Sequence, residues 1–335
     1  MPNGRAEKFQ AGIHNDDMIK GLKNVVDVVH DQNSKIAFQL VHSGRQTNKD
    51  TIGQTPIGPS KGPRDNIYMV KPKEMTKEEI QEIIKAFGTA AFRASEAGAD
   101  GVQIHAAHGY LVNQFLSPFF NKRIDSWGGS DENRFRFLKE IVLEIRKNIS
   151  DDMFVLVKLN TQDYTPKQGI TIELSKRYAE WLADLPIDGL EVSCGTISYS
   201  MFNVVRGDVP TKEILKRFPL WIRILGTLVF KKMEGKFDLE QGYNLEAAKV
   251  IKPIVGEMPL FVVGGLRRVA HMEEILKNGF ADFISMSRPL IREPNIVKKI
   301  SEGKVDSAAC VSCNKCFAAV ANYMPVACYN KGFPK

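Results

Sequence analysis

Long apolar runs are missing from this chain. Its longest lipid-like stretch, Ile224 to Phe230, falls far short of the ~20 residues that a helix needs to cross a bilayer, so no membrane span is expected. The opening MPNGRAEKFQ has no apolar core behind its charges, and a secretory signal is not expected either. Cysteine is nearly absent from most of the chain: Cys194 stands alone, and the other four fall between positions 310 and 328. That distribution does not suit disulfides spread over a secreted fold, and it predicts a reducing, cytoplasmic setting. Blocks of one charge sign are lacking too. Lys and Arg number 46 against 39 Asp and Glu, a net charge of +7 and a pI near 9.0. Such an excess suits an anionic ligand or nucleic acid. Here, however, basic and acidic residues interleave, as in KPKEMTKEEIQEIIK. That is the pattern of a solvated surface, and nucleic-acid binding is not expected.

What the 335 residues do contain is alternation. Short β-branched runs at Ile36–Val41, Gly101–His105, Phe154–Asn160, Gly189–Ser193, Leu260–Val263 and Phe283–Ser287 are separated by amphipathic segments. The segments are Met18–Asp31, Lys77–Ala97, Glu132–Ile149, Glu173–Leu185 and Leu245–Val255. Thr76 and Glu79 stand at capping-box spacing before the second of them. Runs such as FVLVKL are apolar on both faces, as in sheets covered on both sides. Strict alternation implies parallel strands with right-handed helical crossovers. An open doubly wound sheet and a closed barrel both satisfy this. Nearly every strand ends in polar or glycine-rich sequence (HSGR, HAAHGY, KLNTQD, SCG, VGGLR, SMSRP), which suits a barrel whose loops converge on one mouth.

A closed barrel needs eight strands, and six candidates are present. The chain opens in a loop with no room for two more βα units before Ile36. The expectation is an N-terminally incomplete (β/α)8 barrel over residues 1–305, lacking strands one and two, followed by a cysteine-rich segment at 306–335. Insertions at 43–75 and 194–243 follow strand ends. The second contains RFPLWIRILGTLVF, amphipathic with basic flanks. It reads as a helix packed over the barrel mouth or as a membrane-surface element.

The most informative segment is GVQIHAAHGYLVNQFLSPFFNKRIDSWGGSDENRFRF. Strand alternation puts Gln103 and His105 on one face, with Val102 and Ile104 on the other. His108 and Tyr110 follow in the loop. Two imidazoles can donate hydrogen bonds to a carbonyl oxygen and stabilise charge developing there, and a phenol can supply a proton. A structural histidine pair or a metal pair would have the same spacing. The C-terminal cysteines follow Cys310-x-x-Cys313-x-x-Cys316, then eleven residues and Cys328. Thiolates so spaced bind zinc or an iron–sulfur cluster, and spacing does not choose between them.

The wider pattern carries a resemblance. The segment beginning at Gly101, with its tail from Asn121 to Arg134, resembles the strand-four signature of the Old Yellow Enzyme (NADH:flavin oxidoreductase) family. FQLVHSGR, PLFVVGGL and SMSRPLIREP extend the likeness over essentially the whole chain. The resemblance implies an FMN-binding (β/α)8 barrel that passes a hydride from NAD(P)H through the flavin to an activated, α,β-unsaturated small-molecule acceptor. By the same resemblance, His105 and His108 bind the acceptor oxygen and Tyr110 donates the proton. Gln39 contacts the flavin pyrimidine, and Lys158 takes a position where many relatives carry Arg, giving a cation without a bidentate fork. Gly264, Gly265 and Arg288 contact the phosphate, with Ser287 standing where relatives usually have Gly. Cys310, Cys313, Cys316 and Cys328 resemble the [4Fe-4S] ligands of the 2,4-dienoyl-CoA reductase and trimethylamine dehydrogenase branch. The first gap matches both of those relatives and the second gap matches trimethylamine dehydrogenase. Such a cluster is expected to be structural or to serve a separate electron-transfer protein; a homo-oligomer stays open. Two other readings remain: a truncated, catalytically impaired barrel fragment, and a phosphate-binding barrel enzyme such as an aldolase or isomerase. The last has no Schiff-base lysine better placed than Lys158 and leaves the cysteines unused.

Overall fold

The computed structural model describes residues 1–334. Its strands are β1 (Ala37–Leu40), β2 (Ile57–Gly58), β3 (Lys73–Glu74), β4 (Gly101–Ala106), β5 (Phe154–Asn160), β6 (Gly189–Ser193), β7 (Leu260–Val263) and β8 (Phe283–Ser285). The helices used below are α1 (Ile19–His30), α2 (Lys77–Glu96), α3 (Leu111–Leu116), α4 (Asp131–Asn148), α5 (Ile172–Ala183), α6 (Leu220–Lys231), α7 (Leu245–Val255), α8 (Val269–Lys277), α9 (Arg288–Arg292) and α10 (Lys315–Ala321). The chain divides into two compact bodies, residues 1–201 with 250–260, and residues 202–249 with the chain from 261 onward.

In the first body β1, β4, β5 and β6 form a parallel sheet in that order. Each consecutive pair is joined by a helical crossover, as parallel pairing requires. Val102, Ile104, Val155, Val157, Leu159, Leu190 and Val192 are fully buried. α2 buries Ile80, Ile83, Ile84, Phe87, Ala91 and Ala94, the three-and-four spacing of a helix laid on a core. Each large apolar side chain so buried contributes about 1.5–3 kcal/mol over leaving it in water. The capping box is formed at the start of α2: Thr76 Oγ1 accepts from Glu79 N, and Glu79 Oε2 from Thr76 N. α4 and α5 start on Ser130 and Thr171, whose hydroxyls accept from Asn133 N and Leu174 N. The register sets Gln39 beside Gln103, His105 beside Lys158, and Lys158 beside Glu191. Alternation thus projects a polar row from one face of an otherwise apolar sheet.

In the second body, from Phe261 on, β7 pairs in parallel with β8, and the Phe261 and Phe283 rings stack at 4.5 Å. The segment after residue 305 is tied to this body. Val269 N donates to Asp306 O, Ala308 N donates to Arg267 O, and Arg268 and Ser307 form an antiparallel bridge.

Four strands in one body and two in the other give the six predicted, each in its predicted place. The last is shorter than expected: it ends at Ser285 because Ser287 caps α9, where a proline stands in the first turn. The parallel pair β2–β3 inside the first insertion is new. With two residues a strand, it has no alternation to detect. Among the described residues, no helix is long and apolar enough to cross a membrane.

Candidate active site

His105 leaves the end of β4, and His108 and Tyr110 follow in the turn before α3. The structure gathers all three. The His105 ring lies 4.9 Å from that of His108, edge to face, and 4.9 Å from that of Tyr110. His108 has φ +62°, a left-handed conformation that a residue with a side chain adopts only where its surroundings fix it. They do so here. Its carbonyl accepts from Ile197 N at 3.1 Å and Gln46 Nε2 at 2.9 Å, and its N–H reaches Asn160 Oδ1. Gly109, at φ +81°, continues the turn. Its N–H donates to Asn113 Oδ1 and its carbonyl accepts from Gln114 Nε2. Below the turn, the buried carboxylate of Asp163 accepts from Asn113 Nδ2, Asn160 Nδ2, Ser117 Oγ and Ile170 N. One buried acceptor thus locks α3, β5 and the turn together.

Burial sets the charge of the cluster. It holds His108 down to about 3, with the nearby Lys158 cation adding to the effect. His105 is held well below its ordinary value by burial, then by His108 and Lys158. Both imidazoles are neutral at pH 7. Burial pushes the Tyr110 phenol up to about 12, with Glu7 adding to the shift, so its proton stays on. His108 Nε2 lies 2.7 Å from Ser193 Oγ, whereas His105 Nδ1 is buried with no hydrogen-bond partner. An unpartnered buried nitrogen costs stability, and a bound polar ligand would satisfy it. Among the described residues, no three His, Cys, Asp or Glu groups are gathered so that they could hold a metal ion.

A second set runs across the sheet. Lys158 Nζ lies 3.1 Å from Glu191 Oε2, Gln103 Nε2 donates to the same oxygen at 2.8 Å, and Gln39 Nε2 donates to Gln103 Oε1 at 2.5 Å. Lys158 and Gln39, both predicted site residues, therefore share one network. Its hub Glu191, with Gln103 and Ser193, was not among the predicted site residues. The signal existed: Glu191 and Ser193 alternate on β6, and a carboxylate inside an apolar strand needs a partner.

In the second body Gly264 and Gly265 follow β7. Gly265 has φ +67°, and a Cβ there would come within 2.5 Å of a Leu239 methyl, so glycine is required. Arg288 uses Nη1 to reach Arg206 O at 2.8 Å and Asn314 Oδ1 at 2.5 Å, and Ser287 precedes it at the cap of α9. Cys310, Cys313, Cys316 and Cys328 line one small cavity with Arg288 and Arg292, and none is in a disulfide. Their loop is shaped by left-handed residues at Ser312 and Asn314. It passes so close to Gly207 that a Cβ there would meet Ser312 O at 2.1 Å. Arg267 Nη2 reaches Cys310 Sγ at 3.6 Å. Burial raises the Cys316 thiol, Cys310 and Cys313 add to the rise, and Arg288 opposes it.

Residues 1–211 match the NADH:flavin oxidoreductase / NADH oxidase family. The chain is 33% identical to the NADH oxidase of Thermoanaerobacter brockii over 315 residues, 93% of this chain and 43% of that protein. It is 34% identical to the NADPH dehydrogenase of Bacillus cytotoxicus over 291 residues, 87% of this chain and 72% of that one. Among solved structures, 2-naphthoyl-CoA reductase in complex with 2-naphthoyl-CoA superposes with a TM-score of 0.80 at 26% identity, over 97% of this chain and 47% of that one. The old yellow enzyme homologue from Zymomonas mobilis superposes with a TM-score of 0.69 at 25% identity, over 93% and 79%. The chain thus spans less than half the length of two of these relatives. With the strand-four turn, the parallel α/β strands and these similarities in hand, the chain belongs to the NADH:flavin oxidoreductase / NADH oxidase family.

Proposed function

We propose that this chain acts as an FMN-dependent oxidoreductase, taking a hydride from NAD(P)H and delivering it to the α,β-unsaturated bond of a small-molecule acceptor. The observation that carries this reading is the neutral His105–His108 pair beside a protonated Tyr110, with His105 Nδ1 buried and unpartnered. Bound FMN would supply the hydride relay, which no side chain can perform. Gln39 and Lys158 would hold the flavin ring. Gly264, Gly265, the Ser287 N–H and the remaining donors of Arg288 would hold the phosphate. Two neutral imidazole N–H groups would bind the acceptor carbonyl and stabilise negative charge growing on its oxygen. Tyr110 keeps its proton at neutral pH and can give it to carbon.

Cys310, Cys313, Cys316 and Cys328 are assigned to a [4Fe-4S] cluster. Four thiols around one cavity beside arginines support that reading. The lack of disulfides fits a reducing, cytoplasmic compartment.

The test is the spectrum of anaerobically purified protein, reconstituted with FMN, iron and sulfide. Flavin bands over a broad iron–sulfur shoulder are expected. Binding of a phenolate to the flavin-loaded protein should weaken by about 10- to 100-fold in His105→Ala/His108→Ala, the loss of two hydrogen bonds to a charged oxygen. Failure to retain FMN, or unchanged phenolate affinity in the double variant, overturns the assignment.

A further inference from the structure

Helix α6 has no part in that chemistry. Its inner stripe is narrow. Ile222, Gly226 and Phe230 recur every four residues and are its half-buried positions. A Cβ on Gly226 would lie 2.8 Å from a Leu215 methyl, and the Phe230 ring meets Phe202 edge to face at 6.2 Å. The rest of the helix faces out. Leu220, Trp221, Ile224, Leu225, Leu228 and Val229 are each more than half exposed, from 53% to 69%. At 100° per residue these six side chains span half of the helix circumference, and the polar residue inside that arc is Lys231 at the helix's C-terminal end. Six exposed apolar side chains on one side of one helix are unlike scattered surface hydrophobics and mark a contact surface.

The charges around it choose the partner. Lys212, Lys216 and Arg217 precede the helix, Arg223 lies within it, and Lys231, Lys232 and Lys236 close and follow it. The acids between 212 and 236 are Glu213 and Glu234, and Glu213 is already 3.5 Å from Lys315. A second copy docked about a two-fold axis would bring this basic rim against its own image, which like charges oppose. An anionic bilayer meets both demands. The apolar face enters the acyl boundary, Trp221 sits at headgroup depth, and the rim meets lipid phosphates. We infer that α6 seats this protein on an anionic membrane surface, with the helix lying in the plane of the interface.

The test is co-sedimentation of the whole chain with vesicles of phosphatidylcholine, with and without phosphatidylglycerol. Binding is expected with phosphatidylglycerol only, weakening as salt rises. Leu225→Glu/Leu228→Glu should lower the partition coefficient by about tenfold or more, the loss of two buried leucines. Lys231→Glu/Lys232→Glu should abolish the preference for anionic lipid. A separate readout covers variants that fail to fold: in the unmodified protein, brominated lipid should quench a fluorescence component that Trp221→Phe removes. The proposal is overturned if the unmodified chain stays in solution, if Leu225→Glu/Leu228→Glu binds as tightly, or if the quenching survives Trp221→Phe. It is also overturned by a dimer in light scattering that Leu225→Glu/Leu228→Glu dissociates, because the face would then belong to a second copy.

Discussion

Glu191 controls what Lys158 can give a ligand. The two groups are 3.1 Å apart and mostly buried, where charges are weakly screened, so much of the lysine's charge is offset before a flavin arrives. Glu191→Gln keeps an acceptor for Gln103 and removes the anion. The midpoint potential of bound FMN should then rise by roughly 30 mV, about 1.4 kcal/mol for two electrons; an unchanged potential would show that Lys158 does not face the flavin. Tyr110→Phe removes a proton that the raised phenol keeps at neutral pH. Acceptor reduction should slow about 100-fold or more, with reduction of the flavin by NAD(P)H unchanged; equal slowing of both half-reactions would refute the assignment. The same burial makes the histidines acid-sensitive. His42 and His108 are depressed to about 3 and His105 is held well below its ordinary value, while in the unfolded chain each takes a proton near 6.5. The unfolded state therefore binds more protons between those limits. The stability these groups contribute is complete above about pH 6.5 and is lost as pH falls toward 3, each with a slope of up to about 1.4 kcal/mol per pH unit. His105→Gln/His108→Gln should flatten denaturant-derived stability against pH across that window; an unaltered slope would mean that these imidazoles are not buried neutral.

Elements were legible where the pattern was long. The spacing over α2 and its Thr76–Glu79 cap read correctly because the helix is fixed by local groups, and its end moved by only one residue. Thr76→Ala should cost about 1 kcal/mol, seen as a lowered melting temperature that Thr76→Ser largely restores; full stability in the alanine variant would mean that the box contributes nothing. The pair β2–β3 was illegible because its pairing partners are distant in sequence and each strand is two residues long. The hydrogen bonds of Asp163 were hidden for the same reason. Its partners come from residues 113, 117, 160 and 170, and only the fold assembles them. Helix α6 was visible as an amphipathic run, but sequence alone did not say that its apolar side would remain exposed.

At the scale of the molecule, the sequence predicts a boundary between residues 305 and 306, whereas the compact bodies divide the chain elsewhere and keep the cysteine segment with residues 202–249 and 261–305. Three cysteines are near neighbours in the chain, whereas Cys328 joins their cavity from beyond α10, with Arg292 Nη1 3.9 Å from its sulfur. The loop is further pinned by Arg267 on Ser312 Oγ at 2.8 Å and by Asn314 Nδ2 on the carbonyls of Val205 and Asp208. The segment holds three left-handed non-glycine residues, Ser312, Asn314 and Tyr323, and a cluster bound as proposed would add to these contacts in holding it. Anaerobic removal of iron with a chelator should therefore open the region from Cys310 to Cys328 to limited proteolysis while leaving flavin bound and the core of the first body protected. Cleavage sites mapped by mass spectrometry decide the matter. Unchanged resistance in this segment would mean that the arginine and asparagine contacts hold it without metal. Simultaneous loss of flavin would instead tie the cysteines to Arg288 and Ser287, proposed above to bind the phosphate, whose helix begins at the same cavity.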